Sequence, residues 1–388
     1  MAQRIKGKRR YQWAYRAIRA LACPYFIWRY RFEAGQAPDI KGPFLLVANH
    51  VTELDFMLVG ASFKKPLVFV VGDTLLRAPV MGWLLKNLMG VIPKDKGMVD
   101  ASTAMGILRR LRGGQSVCLF PEGNTCFDGR TGPFPVATGG LARAVGVPLV
   151  TYRIRGAYLA LPRWGRGIRA GRSWGQVAGV YQPEALKAMS NHEVDALIAR
   201  DLAVDAYEDQ GKEPVAYRGK RRAEGLENAL YLCPVCREMG SIRTWDDRVK
   251  CHHCGMEAVF DLHGAFVGGQ PFPNVRDWVD SQREELCRRV TASGEEPVLS
   301  DADQVLCERG PGRQLIPVAR GQMGMSRAGL QVGEKRFALS DLLSLEIYRK
   351  NILIMATSDG KRYQVRPDKP FNALKYRDMF HILKEIRR

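Results

Sequence analysis

Residues 44–62 read FLLVANHVTELDFMLVGAS, and the reading of this stretch decides the fold. Phe44–Ala48 is a short apolar run of the kind that forms a buried strand. Leu54–Ser62 carries the next apolar run at helical spacing. Between them stand a histidine, His50, and, five residues after it, an aspartate, Asp55. A strand that passes through a short polar loop into a helix is the opening unit of an alternating α/β domain. It also puts His50 at a strand end, just before a helix N-terminus.

The alternation continues outward. Strands are expected at Leu67–Val71, Gly90–Pro93, Ser116–Phe120, Leu149–Ile154 and Gly175–Tyr181. Helices are expected at Pro79–Leu88, Met98–Leu111 and Val136–Val145, and from Ser190 to Tyr207, where Ser190-Asn-His-Glu193 has the form of a capping box. The fold class is therefore α/β, a central mixed sheet flanked by helices over residues 32–210. A polar, basic linker follows at 211–228. Short apolar runs recur beyond residue 301, with a hairpin signal at Ser358-Asp-Gly360 and a terminal helical pattern from Asn372. Strands closed by one C-terminal helix resemble a small β-module of pleckstrin-homology type over 301–388. A connecting loop and helix fill 263–300.

The chain has 388 residues and nine cysteines. Four of these form two pairs, Cys233-Pro-Val-Cys236 and Cys251-His-His-Cys254, with 14 residues between the pairs. This is zinc-ribbon spacing, two CxxC knuckles that meet at one tetrahedral ion. A structural Zn2+ is expected on the four thiolates of a ribbon spanning 229–262. With five further cysteines scattered, a reducing compartment fits better than a disulfide framework.

Lys and Arg total 59 against 40 Asp and Glu, a net charge of +19. Such a field favours anionic partners: nucleic acid, anionic lipid or a phosphorylated substrate. Residues 1–32 hold nine Lys/Arg and no acid, and their longest uncharged run is nine residues, Ala20–Trp28. That is too short for a secretory signal or a spanning helix. Tyr11, Tyr15, Ile18, Ala22 and Tyr25 recur at helical spacing, with Trp13 and Trp28 nearby. Residues 1–31 thus read as a basic amphipathic helix lying on a membrane surface. The ribbon's basic residues are interrupted by Glu238, Asp246 and Asp247, so nucleic acid is not the expected partner.

His50 followed by Asp55 has the logic of a base and its orienting carboxylate. Three later segments appear in order: Gly90-Val-Ile-Pro-Lys-Asp-Lys96, Leu119-Phe-Pro-Glu-Gly-Asn-Thr125 and Val147-Pro-Leu-Val150. Together the four blocks resemble the glycerolipid acyltransferases of the 1-acylglycerol-3-phosphate acyltransferase type, over about residues 25–205. The resemblance implies acyl transfer from acyl-CoA or acyl-carrier protein to a lysophospholipid hydroxyl in phospholipid biosynthesis, on the inner face of the cell membrane. It implies that His50 is the general base and Asp55 its partner. It further implies that Lys94, Glu122, Gly123 and Thr125 meet the acceptor and its phosphate, and that Val147 and Pro148 shape the substrate pocket. No metal is needed for that chemistry. The family usually has Arg at the positions of Lys94 and Thr125, which reduces fixed charge near the acceptor. Lys96, Arg130, Arg153, Arg155 and Arg163 are candidates to compensate. Two other readings are an acyltransferase-fold lipid-binding or regulatory protein with low turnover, and a nucleic-acid binder acting through the ribbon.

Overall fold

The computed structural model describes residues 8–72, 76, 82–83, 85, 87, 89–94, 101–134, 137–310 and 314–386, without the side chains of 8–10. Most of the expected helix Pro79–Leu88, the start of Met98–Leu111, Lys96 and residues 1–7 lie outside the described residues. The chain forms two compact units. One holds the residues up to Arg163 together with Gly167–Lys220, and the other holds Trp164–Arg166 and Arg221–Arg388.

The first unit is built on a seven-stranded sheet: β1 (Phe32–Ala34), β2 (Leu45–Ala48), β3 (Leu67–Gly72), β4 (Ile92–Lys94), β5 (Ser116–Leu119), β6 (Leu149–Arg155) and β7 (Ser173–Tyr181). Their order is β1-β7-β6-β2-β5-β3-β4. Strands β2 to β6 run parallel, while β7 is antiparallel to β6 and β1 parallel to β7. The sheet is therefore mixed. Strands β2 and β5 are buried along their whole length, as expected where helices cover both faces. One core layer centres on Leu46, Phe63, Phe69 and Tyr152, and the other on Leu45, Val47, Val117 and Leu197. The parallel strands all end on the same side, where an α/β sheet opens its ligand crevice.

The helix expected over Ser190–Tyr207 is two helices, Asn191–Leu202 and Ala206–Lys212. Ser190 closes the first with a complete capping box. Asp205 starts the second by accepting from the N–H groups of Tyr207 and Glu208. Its cap chemistry is what breaks the pattern.

The N-terminal segment also differs from expectation. It forms two helices, Lys8–Leu21 and Cys23–Tyr30, with Pro24 in the first turn of the second. The stripe read as membrane-facing begins with Tyr11 and Tyr15, and both are buried. The Tyr15 hydroxyl donates to the Phe63 carbonyl at 2.9 Å. Tyr30 is buried as well. The start of the stripe marks the face that docks on the sheet domain. Tyr25 at its end is exposed, as are Trp13, Leu21 and Trp28. Among the described residues no helix is long and apolar enough to cross a membrane.

The second unit holds two sheets. Strands β8 (Ile242–Trp245), β9 (Arg248–Cys251), β10 (Glu257–Phe260) and β11 (Phe266–Gly268) form an antiparallel sheet in the order β11-β10-β9-β8. A helix follows at Val275–Ala292, with Asn274 as its cap. Seven antiparallel strands come next: β12 (Leu299–Arg309), β13 (Leu315–Met325), β14 (Gly329–Val332), β15 (Lys335–Ala338), β16 (Leu342–Tyr348), β17 (Ile352–Thr357) and β18 (Arg362–Pro367). Their order is β15-β14-β13-β12-β18-β17-β16, and the helix Ala373–Ile386 completes the module. Asp301 and Asp303 interrupt the apolar pattern of strand β12. The structure neutralises Asp301 with the buried Lys375 and the Tyr376 hydroxyl.

Candidate functional site

The loop after β2 is organised by a carboxylate. Asp55 is fully buried. Its Oδ2 accepts from the N–H of Val51 at 2.6 Å, the N–H of Thr52 at 3.0 Å and Nδ1 of His50 at 2.9 Å. Its Oδ1 accepts from the Thr52 hydroxyl at 3.0 Å, and that hydroxyl in turn accepts from the N–H of Leu54. An ionised carboxylate can only accept, so the network assigns the proton of the neutral imidazole to Nδ1. The lone pair of His50 is then on Nε2, the nitrogen turned away from Asp55. The His50 ring stacks on Phe120 with centroids 4.6 Å apart, which sets its plane. The side chain stays partly exposed, at 22%.

The N–H groups at the helix start are not available to a developing negative charge. Those of Val51, Thr52 and Leu54 are occupied within the loop.

Two further residues hold the loop, and the sequence reading named neither in this role. Asn49 is fully buried, and its amide donates to the Ile154 carbonyl at 2.9 Å and accepts from the Ile154 N–H at 2.7 Å. It extends the pairing of β2 with β6 by one side chain. Its only sequence signal is an amide placed between an apolar strand and a histidine. The other is Glu122, expected to line the acceptor site. Its Oε1 accepts from the main-chain N–H of His50 at 2.7 Å, and its Oε2 accepts from that of Gly132 at 2.7 Å. Burial pushes its carboxyl up to about 8, outweighing these two N–H bonds, which act in the opposite direction.

Lys94 ends β4, and Gly123 follows Glu122 in a left-handed conformation, φ +70°. A Cβ on Gly123 would stand 3.7 Å from Nζ of Lys94, so the second and third blocks converge beside His50. Burial lowers the pKa of Lys94, and no described carboxylate pairs with it. Thr125 is buried, and its carbonyl accepts from Nη1 of Arg163 at 2.9 Å. The guanidinium of Arg163 lies over the Phe127 ring. The other candidate cations have partners too: Arg130 on Asp128, Arg153 on the Asp201 carbonyl and Arg155 on Asp209.

Val147 and Pro148 stand elsewhere. They precede β6 at the opposite end of the sheet, where the Pro148 carbonyl accepts from Leu45 and Val147 packs against the lower core. The chain is parallel there to β2, which reaches His50 only at its far end. These two residues shape the core and not the crevice that holds His50.

The four cysteines form a separate cluster. Their sulfurs all lie within 4.8 Å of one another, and Cys233–Cys254 and Cys236–Cys251 are each 3.7 Å apart. A tetrahedral zinc with Zn–S bonds of about 2.3 Å needs sulfurs about 3.8 Å apart, so the set fits that ion. The two knuckles repeat one backbone pattern. The N–H of Cys233 donates to Glu238 and that of Cys251 to Met256, while Arg237 and Gly255 donate back to the first cysteine of each knuckle. Arg237 and Gly255 both take positive φ. His252 and His253 are exposed and outside the cluster.

The matched acyltransferase family model spans residues 29–155. The chain is 33% identical over 141 residues to a chloroplastic 1-acyl-sn-glycerol-3-phosphate acyltransferase of Brassica napus, which covers 34% of this chain and 38% of that protein. It is 33% identical over 93 residues to a lyso-ornithine lipid O-acyltransferase of Pseudomonas aeruginosa, which covers 24% of this chain and 34% of that one. The chain thus spans little more than a third of the length of these curated relatives. A crystal structure of the 1-acyl-sn-glycerophosphate (LPA) acyltransferase of Thermotoga maritima overlaps 52% of this chain and 81% of its own at 19% identity and a TM-score of 0.40.

The bonds of Glu122 make a prediction. In Glu122→Gln an amide N–H2 faces one of two main-chain N–H donors, and the loss is expected to be about 1–3 kcal/mol. The raised pKa means that the folded chain keeps a proton that the unfolded chain releases above its ordinary carboxyl range. This contribution to stability is full at low pH and is lost as pH rises through about 8. Urea titrations from pH 5 to 9 should show that decline in the wild type and a flatter profile in Glu122→Gln.

Proposed function

We propose, from the acyltransferase-family domain at residues 29–155, that the chain is an O-acyltransferase. It moves an acyl group from acyl-CoA or acyl-carrier protein to a free hydroxyl of 1-acylglycerol-3-phosphate or a related lysophospholipid. The observation that carries this reading is the 2.9 Å contact between Nδ1 of His50 and Oδ2 of Asp55, which leaves Nε2 as the basic nitrogen. Nε2 takes the hydroxyl proton as the alcohol oxygen attacks the thioester carbonyl. The tetrahedral intermediate then expels the thiolate, which recovers that proton from the imidazolium. The donor is already activated, so no covalent enzyme intermediate is required.

Lys94 is the cation for the acceptor's headgroup in this reading. Gly123 stands beside it in a left-handed conformation that a side chain would strain. Glu122 acts as a positioning residue, because both its oxygens hold the main chain on either side of the crevice. Thr125 contributes through its carbonyl, which anchors Arg163. His50→Ala is expected to abolish acyl transfer to a lysophospholipid presented in detergent micelles, and Asp55→Asn to lower kcat by about 10²–10⁴-fold, the usual span of general base catalysis. Labelled donor and separation of the lipid products measure both. Near wild-type turnover in His50→Ala would falsify the base assignment.

The chain is proposed to act as a peripheral protein on the inner face of the cell membrane. Trp13, Leu21, Tyr25 and Trp28 support this, as exposed apolar side chains on two arginine-bearing helices. Removal of these helices would also strip Tyr15 and Tyr30 from the core. The informative variant is therefore Trp13→Ser/Leu21→Ser/Trp28→Ser, which should sediment with anionic vesicles several-fold less than the wild type while its melting temperature changes little.

Cys233, Cys236, Cys251 and Cys254 are proposed to hold one structural zinc, which would supply cross-linking energy to a small sheet. Elemental analysis should find about one equivalent per chain, lost in Cys236→Ser/Cys254→Ser. A wild-type protein free of zinc after expression in zinc-supplemented medium would overturn the assignment.

A further inference from the structure

The strands of the ribbon alternate cleanly. Ile242, Val249, Cys251, Ala258, Phe260 and Phe266 are buried. The opposite face is left open, and strand register arranges it in two rows. Trp245 lies opposite Arg248, Arg248 opposite Val259, and Val259 opposite Val267. In the second row Arg243 lies opposite Lys250, which lies opposite Glu257. One row thus carries a tryptophan, an arginine and two valines across four strands. The other carries two cations and one acid, and that acid is bonded to Lys250 at 2.7 Å.

Exposure of this kind needs a reason. A lone valine on a surface is ordinary, but Val267 at 60%, Val259 at 38% and Trp245 at 39% share one row on one face of a sheet, with Arg248 between the tryptophan and the valines. Three cations, Arg243, Arg248 and Lys250, share it with one acid, Glu257. The adjoining turn adds Asp247, which is occupied by Arg222, and the exposed Asp246.

The geometry points to this face of the ribbon as a second membrane-contact surface, seated on a bilayer that carries anionic headgroups. It rests on the reading of the chain as an enzyme of membrane lipids only in its choice of occupant. Charge complementarity and the mixture of side chains favour that occupant. Indole and valine side chains enter the boundary between headgroups and acyl chains, while guanidinium and ammonium groups stay at the phosphates. A single-stranded nucleic acid would instead call for several stacking aromatics along a basic groove, and the face offers one indole and two aliphatic side chains.

The test uses the full chain carrying Trp13→Ser/Leu21→Ser/Trp28→Ser, so that binding by the N-terminal helices is reduced. Vesicles of phosphatidylcholine with phosphatidylglycerol, doped with a phospholipid bearing a diazirine in its acyl chain, are added and irradiated. Peptide mapping should place adducts in 242–250 and 257–268. In the same background Arg248→Gln should weaken partition onto these vesicles about fivefold. Trp245→Ser/Val267→Ser should weaken it about tenfold or more, with unchanged circular dichroism in each case.

Absence of adducts in those peptides, or partition unmoved by both sets of substitutions, would overturn the proposal. So would binding of a single-stranded oligonucleotide that depends on Trp245 and Arg248 where the vesicles leave no adduct, since it would assign the face to nucleic acid. No step of this test requires turnover. An inactive wild type would defeat the acyltransferase reading and leave the adducts in place.

Discussion

Four donors meet on the Asp55 carboxylate: the His50 ring, the N–H groups of Val51 and Thr52, and the Thr52 hydroxyl. A buried carboxylate is costly to desolvate, and it is tolerated where each lone pair finds a donor. The same bonds that satisfy the charge bend the chain from β2 into the following helix. They also choose the tautomer of the imidazole. Loop shape and base chemistry therefore have one cause, and a side chain without a negative charge at residue 55 would disturb both. Glu122 also holds this loop, with one oxygen on the main chain of His50 and the other on that of Gly132. The histidine is thus held from its ring and from its backbone by different carboxyl groups.

Much of this was legible from the residues. The strand, loop and helix at 44–62 and the strand ends carrying Lys94 and Glu122 follow from apolar runs of the right length. Those runs report burial, and burial fixes the parallel strands. What the runs do not report is the destination of a polar side chain. Glu122 reads as a group facing substrate because it sits at a strand end. Only the fold shows that two main-chain N–H groups reach it first. Asn49 is silent for the same reason, because its partner Ile154 is 105 residues away in the chain. Val147 and Pro148 mislead in the opposite way. They begin a strand whose far end reaches the crevice, and a strand of seven residues separates its two ends by about 20 Å.

The N-terminal helices show how far periodicity can go. A stripe at helical spacing says that one face is buried, but not what buries it. Here Tyr11 and Tyr15 are covered by the domain, and the Tyr15 hydroxyl finds backbone carbonyls where lipid would offer it nothing. The aromatics expected at the interface beside that stripe, Trp13 and Trp28, are exposed. The Tyr15 hydroxyl thus marks burial in protein, while the equally buried Tyr11 hydroxyl has no hydrogen-bond partner among the described residues.

The same reasoning applies to the ribbon, where the periodicity is two instead of 3.6. Its inner face is consumed by Val249, Phe260 and Phe266, with Phe260 against Trp164 and Phe266 against Trp278. Its outer face has no such assignment. A four-stranded sheet does not need tryptophan and valine on its solvent side for stability, because exposed apolar surface gains nothing there. Arg248 between Trp245 and Val259 places a fixed charge where a purely structural surface would gain nothing from either neighbour. The arrangement gains free energy only when something amphipathic and negatively charged covers it.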